Sequence, residues 1–379
     1  MHVSETEVSI KANTELPPCC LRVLQEKYII VGTYDLNKST GSRTGSLDIY
    51  DENLHLLNTT KTYGAILDLK LSPFDECLLA TAHSTGNVLL WKIILEDNII
   101  TLEEIANLQV FDTDCLVTSL HFSPLESQTL LVTATTGEIK TIDLGSGQDT
   151  FSAQNVADYY NKLDKTTYEV QGSQESAIDQ IARDEFCFTH QHSLECWTGE
   201  FGQLQPLQNI IFTGGDDATI VAHDLRTRDH VWSNNRIHEA GVVGIKCSTP
   251  TFRVSKPTSI ITGSYDDHIR SLDLRMLNEN TLYPGVNLPV VNSYDCNLGG
   301  GVWRFSESPQ NSMNHSTNDL LVCCMYDGAK ILSVDEEAFN VTHYVKKGHD
   351  SMCYGGDWCS NFVVTCSFYD KSLQLWNTH

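Results

Sequence analysis

The sequence has little positive charge. Lys and Arg number 25 against 49 Asp and Glu, a formal net charge of −24 over 379 residues. A field of that sign repels phosphate backbones and argues against nucleic acid as a direct partner. It suits a basic protein or a cationic small group, and it also serves solubility. Long apolar runs are missing as well; none approaches the length of a membrane span, so no membrane association is expected. The start MHVSETEVSIK has no basic region followed by an apolar core, which predicts no secretory signal and a cytoplasmic protein. Thirteen cysteines is an odd number, none stand at C-x-x-C spacing, and Cys323, Cys324 and Cys366 fall in apolar runs. That pattern belongs to a reducing compartment rather than a disulfide framework. The G-x-S-x-G elbow, HExxH, the P-loop and the Rossmann glycine pattern do not occur, nor does a His, Cys and Asp cluster at metal-ligand spacing. No cofactor and no metal are expected.

What the chain does have is a repeat. GGDDATIVAHDLR from Gly214 to Arg226 and GSYDDHIRSLDLR from Gly263 to Arg275 are near copies, 49 residues apart. An Asp in a tight turn, followed by an alternating strand that ends on a second Asp, is the pattern of a WD40-type propeller blade. Sliding a blade template along the chain puts the turn position at Thr44, Thr85, Thr136, Asp217, Asp266, Asp327 and Asp370. Before each lies a β-branched or apolar run: YIIVGTY, LLATAH, LLVTAT, IIFTGG, IITGSY, LLVCCM and VVTCSF. The three N-terminal blades lack the turn Asp and are placed by alternation and spacing alone. The predicted fold is all-β, a seven-bladed propeller forming one monomeric domain over residues 1–379. The polar segment 145–185 swells the connection between blades 3 and 4 and is expected to be flexible or a lid. Asn278 to Pro289 is a smaller polar insertion. The last blade lacks an outer strand, and the alternating Val8 to Ala12 is predicted to supply it by pairing with Ser372 to Trp376.

In such a disc, the turns before the inner strand and between the two middle strands gather at one face. Trp197, Val243, Trp303 and Tyr354 stand just inside the inner strands of the C-terminal blades, and Asp216, Tyr265, Tyr326 and Tyr369 immediately precede the turn Asp. The matching N-terminal positions are Leu67, Thr118, Arg43, Ser84 and Thr135. One half of the rim is therefore aromatic with a carboxylate, the other small and polar. Aromatic faces around an acidic residue are what a quaternary ammonium group needs; aromatics also simply favour strands.

His192, His238 and His349 lead into blades. A His there commonly joins the turn Asp of its blade through a Thr or Ser, which predicts one network of His349, Thr365, Asp370 and Trp376 and another of His238, Thr262 and Asp266. Two of these histidines also have an acidic neighbour, Glu195 after His192 and Asp350 after His349. Gly299 to Gly301 either permits a tight turn or lets backbone N–H groups approach a ligand oxygen.

GTY at Gly32 to Tyr34, H-x-x-E-x-W at His192 to Trp197, GGDD at Gly214 to Asp217, TGSYDD at Thr262 to Asp267, GGGVWR at Gly299 to Arg304, HDSMCYGGDW at His349 to Trp358 and TCSFYD at Thr365 to Asp370 together resemble the diphthine methylesterase family of WD-repeat proteins. The resemblance spans all seven blades and is densest after His192. It implies hydrolysis of the methyl ester of methylated diphthine on elongation factor 2, in diphthamide synthesis, with the substrate's trimethylammonium group resting on the aromatic rim. Ester hydrolysis needs an activated nucleophile and oxyanion donors. In one arrangement His349 or His192, polarised by Asp350 or Glu195, activates water, and N–H groups around Gly300 and Gly301 receive the developing charge. In the other, Ser351 or Cys353 attacks with His349 as base. The rival reading is a non-catalytic adaptor for the amidation step or for a ubiquitin ligase. A methyltransferase ranks last, because no cofactor-binding βαβ pattern is present.

Overall fold

The alternating apolar runs fold as strands because each middle strand packs on both faces. The computed structural model describes residues 5–97, 99–144, 187–274, 291–309 and 316–378. Among them every regular element is a β-strand, and the strands form seven antiparallel sheets, the blades of a propeller. Middle strands such as Tyr28–Thr33, Ile210–Gly215 and Ser259–Ser264 are buried at every position. Their apolar side chains meet those of the next blade, as where Phe212, Ile220 and Trp232 of blade 4 share a core with Val242, Ile245 and Ile260 of blade 5. The glycines of the twin segments serve this contact: a Cβ on Gly214 would lie 2.7 Å from Val242, and one on Gly263 would lie 2.5 Å from Val302.

The ring closes through the N-terminus. Val8–Asn13 pairs antiparallel with Ser372–Trp376, with Ala12 opposite Leu373 and Lys11 opposite Gln374. Ile10 and Ala12 pack on the apolar cluster shared by blades 7 and 1, which contains Leu21, Ile29, Val364 and Leu373.

One template position shifts. Thr44 falls inside the strand Arg43–Tyr50, and the hairpin instead turns between Asn37 and Ser42. There the Asn37 side chain accepts from the backbone of Ser39 and Thr40, and Gly41 takes φ +74°. Asn37 thus organises the turn that an Asp organises in the later blades. Residues 145–185 and 278–289 lie outside the described residues.

Seven inner strands surround the axis: Pro18–Leu24, Ile66–Leu71, Val117–Phe122, Cys196–Phe201, Val242–Cys247, Arg304–Glu307 and Cys353–Trp358. Unlike the middle strands named above, each has at least one partly exposed position, and they carry charge at Arg22, Asp68, Lys70, Glu200, Lys246, Arg304, Glu307 and Asp357.

Candidate functional site: an aromatic arc

The aromatic residues placed on the rim by spacing do meet across blades. Trp303 is the hub: its ring centroid lies 5.7 Å from Trp197, 5.9 Å from Tyr265 and 5.2 Å from Tyr354. Val243, Met325 and Met352 fill the floor beneath them. The arc continues from Tyr354 to Phe368 at 5.4 Å and on to Tyr34 of blade 1 at 6.0 Å. Trp197, Tyr265, Tyr354 and Phe368 are only half-buried, so ring faces remain available to a ligand. Asp216 is exposed at one end and accepts a hydrogen bond from Trp197 Nε1 at 3.3 Å. Burial pushes the phenols of Tyr265 and Tyr354 well above their ordinary range, with Asp216 adding to the rise at Tyr265. Both stay neutral at physiological pH.

Two predicted members stand at the arc's exposed margin. Tyr326 and Tyr369 are 65% and 68% exposed, and in their place Met325 and Phe368, one residue earlier in each turn, pack inward. In blades 4 and 5 the residue next to the turn Asp faces the arc; in blade 6 Tyr326 is turned outward, and in blade 7 the exposed Tyr369 packs edge-on against Phe368 at 4.9 Å. Met325 takes φ +33° at this point, so the blade 6 turn starts a residue sooner. Tyr34 and Phe368 were not singled out as rim residues, although both stand in the motif strings GTY and TCSFYD.

The glycine run acts as a turn. Gly299 takes φ +79°, and a Cβ on Gly300 would lie 2.2 Å from the Cys324 carbonyl. A Cβ on Gly301 would lie 2.7 Å from Met325 Sδ and 3.3 Å from Tyr265, so this close approach seats the arc.

The histidines lie in the blade networks, but His349 Nδ1 has no hydrogen-bond partner, so the expected link from His349 to Asp370 is not made. His349 is fully buried, with Nε2 at 2.8 Å from Thr365 Oγ1, which also accepts from Trp376 Nε1 at 3.2 Å. Burial pulls its pKa down to about 4. Asp350 is exposed, and its backbone N–H, not its carboxylate, joins the network by donating to Asp370 at 2.8 Å. Cys353 is fully buried, and Ser351 Oγ accepts from the Tyr369 backbone. His192 sits between Asp217 Oδ1 and Thr213 Oγ1, each at 3.0 Å, while Glu195 uses its backbone carbonyl to accept from Asp216.

The twin segments differ here for a clear reason. In the second copy Arg270 takes the turn carboxylate Asp266 at 2.8 Å, a position held by Val221 in the first. His238 therefore reaches Thr262 but no Asp, and burial followed by Arg270 drives its pKa to about 4. At His192 burial pulls down, but Cys196 and the Asp217 carboxylate outweigh it and raise the pKa to about 10. Asp217 in turn falls to about 2. A raised His stabilises fully below its unfolded value of 6.5 and loses that contribution as pH climbs through about 10. Thermal unfolding should therefore show stability falling over this alkaline window. Asp217→Asn is expected to flatten that decline, and an unchanged slope in the variant would remove the ion pair from the account.

No protein-family model matches the sequence. The chain is 57% identical over 386 residues to the diphthine methyltransferase of Saccharomyces cerevisiae, covering 99% of each protein. The chain belongs to the diphthine methyltransferase family. It is 30% identical to the Schizosaccharomyces pombe diphthine methyltransferase, again over 99% of each, and 26% identical to the Homo sapiens one, over 83% of this chain and 62% of that protein. Among solved structures, a chain of the mitotic checkpoint complex matches with a TM-score of 0.64 and 12% identity, covering 98% of this chain and 92% of that one, which supports the propeller fold alone. The family name overturns the expectation of ester hydrolysis. Its members are named for methyl transfer, so the hydrolase reading is withdrawn together with the nucleophile, base and oxyanion roles built on it. The reading ranked last from the missing βαβ pattern is the one these relatives support, and the adaptor gains nothing from them.

Proposed function

We propose that this chain serves methyl transfer in diphthine formation, with the aromatic arc holding the methylated ammonium centre of diphthine carried on elongation factor 2. The observation behind this is the joining of Trp197, Tyr265, Trp303 and Tyr354, drawn from four blades, into one arc with Asp216 at its end. A quaternary ammonium donates no hydrogen bond, so ring faces and a counter-charge are what recognise it, at about 0.5–2 kcal/mol per ring. The family name supplies the substrate class, and the net charge of −24 favours a cationic guest.

Methyl transfer consumes an activated donor, and a sulfonium donor is itself an onium. The arc and Asp216 fit such a charged centre, while the described residues contain only strands and no βαβ unit for a nucleoside. The residues of this chain bind and orient: the rings exclude water from the methyl-bearing centre, and Asp216 fixes Trp197 edge-on while offsetting positive charge. The reading is tested with purified protein, a methyl donor and elongation factor 2 bearing an incompletely methylated diphthine side chain. Mass spectrometry of the modified peptide should show the gain of one methylene mass per turnover, weakened in Trp197→Phe. An unchanged mass, or a loss of the same size, would overturn it.

A further inference from the structure

The central channel carries charge that an onium site does not use. A cavity of about 290 Å³ is lined by Arg22, Lys70, Lys246 and Arg304 against Glu200 and Glu307. With Asp68 and Asp357 of the same inner strands the channel holds four cations and four carboxylates, but they are unevenly paired. Lys246 is accounted for, bridging Glu200 at 3.3 Å and Glu307 at 2.7 Å. The other three have one carboxylate among them at ion-pair distance. Lys70 pairs with the buried Asp68 at 2.8 Å, and Arg304 lies 3.9 Å from that same carboxylate. Arg22 donates to the neighbouring Leu21 carbonyl and has no carboxylate at ion-pair distance among the described residues. Burial pulls the Lys70 ammonium down to about 8, with Arg22 and Arg304 pushing the same way against Asp68. Two buried polar atoms on lining residues, Trp303 Nε1 and His121 Nε2, also have no hydrogen-bond partner.

We propose that Arg22, Lys70 and Arg304 form an anion subsite that takes a carboxylate group, next to the aromatic arc. Trp303 belongs to both, since it is the hub of the arc and lines the cavity, and the Arg304 guanidinium stands 5.1 Å from its ring. The preferred guest is then a zwitterion with an onium head on the arc and a carboxylate in the channel. Only this joining of the two ends rests on the reading of the arc proposed above.

The indole N–H signals of the isotopically labelled protein, assigned by Trp→Phe replacements, separate the two ends. Acetate is expected to move the Trp303 signal saturably relative to matched sodium chloride, and tetramethylammonium to move that of Trp197. Trimethylammoniobutyrate, which carries both charges, should bind about tenfold or more tighter than tetramethylammonium, the value of one charge-assisted contact. Arg22→Gln, which leaves no carboxylate without its partner, should erase that advantage and leave tetramethylammonium binding unchanged; Arg304→Gln provides a second variant. A Trp303 signal that acetate does not move, or moves equally in both variants, would overturn the subsite. Movement of Trp303 by acetate without movement of Trp197 by tetramethylammonium would uphold the subsite and remove the arc reading.

Discussion

Replacing Trp303 by alanine is expected to weaken binding of a trimethylammonium compound roughly a hundredfold. The variant loses the ring's own face and the contacts that hold Trp197, Tyr265 and Tyr354 in place. Two to three cation–π contacts at about 0.5–2 kcal/mol each amount to about 3 kcal/mol, which is two factors of ten in affinity. Trp303→Phe keeps an aromatic hub and should lose much less. Calorimetric titration with tetramethylammonium reads the effect, and a melting curve of each variant separates lost binding from lost fold. Equal affinity in Trp303→Ala and the unaltered chain would dismantle the arc.

Removing residues 1–13 should lower the melting temperature by more than about 10 °C or prevent soluble folding. Val8–Asn13 is the outer strand of blade 7, and without it the Ser372–Trp376 edge is open. About five ladder hydrogen bonds at about 1 kcal/mol each, with partial burial of Val8, Ile10 and Ala12, approach the net stability of a typical domain. The loss also unclasps blade 7 from blade 1, because Ile10 and Ala12 pack on the cluster these blades share. Differential scanning calorimetry checks this, and a peptide of residues 5–14 added in trans should restore part of the transition. A melting temperature within about 2 °C of the full chain would show that closure lies elsewhere.

The fold was legible because its determinants are local and repeated. The turn carboxylates Asp217 and Asp266, the alternation of Val8 to Ala12 and the apolar middle strands are all readable without knowing what packs against them. The site was legible in part. Position within a repeat placed Trp197, Tyr265, Trp303 and Tyr354 on one rim, since equivalent positions in successive blades converge on one face. It failed for Tyr326, because letter order does not reveal on which residue a turn begins; Met325 at φ +33° shifts that point by one. The channel charges were missed for another reason. Arg22, Lys70, Lys246 and Arg304 come from four distant strands, and period-two reading of the inner strands side by side would have exposed them. Sequence alone also could not say that Arg270 would claim Asp266 and leave His238 without it, since the pairing depends on which side chain reaches the turn first in space.

The arc's preference for charge over shape is the most direct test of this account. Choline and 3,3-dimethylbutanol have the same outline and differ in a central nitrogen or carbon. Titrated into the unaltered protein under identical buffer, choline is predicted to bind at least about tenfold more tightly, as ring quadrupoles and Asp216 act on the charge alone. Equal affinity for the two would contradict the account and return the aromatic arc to a packing role.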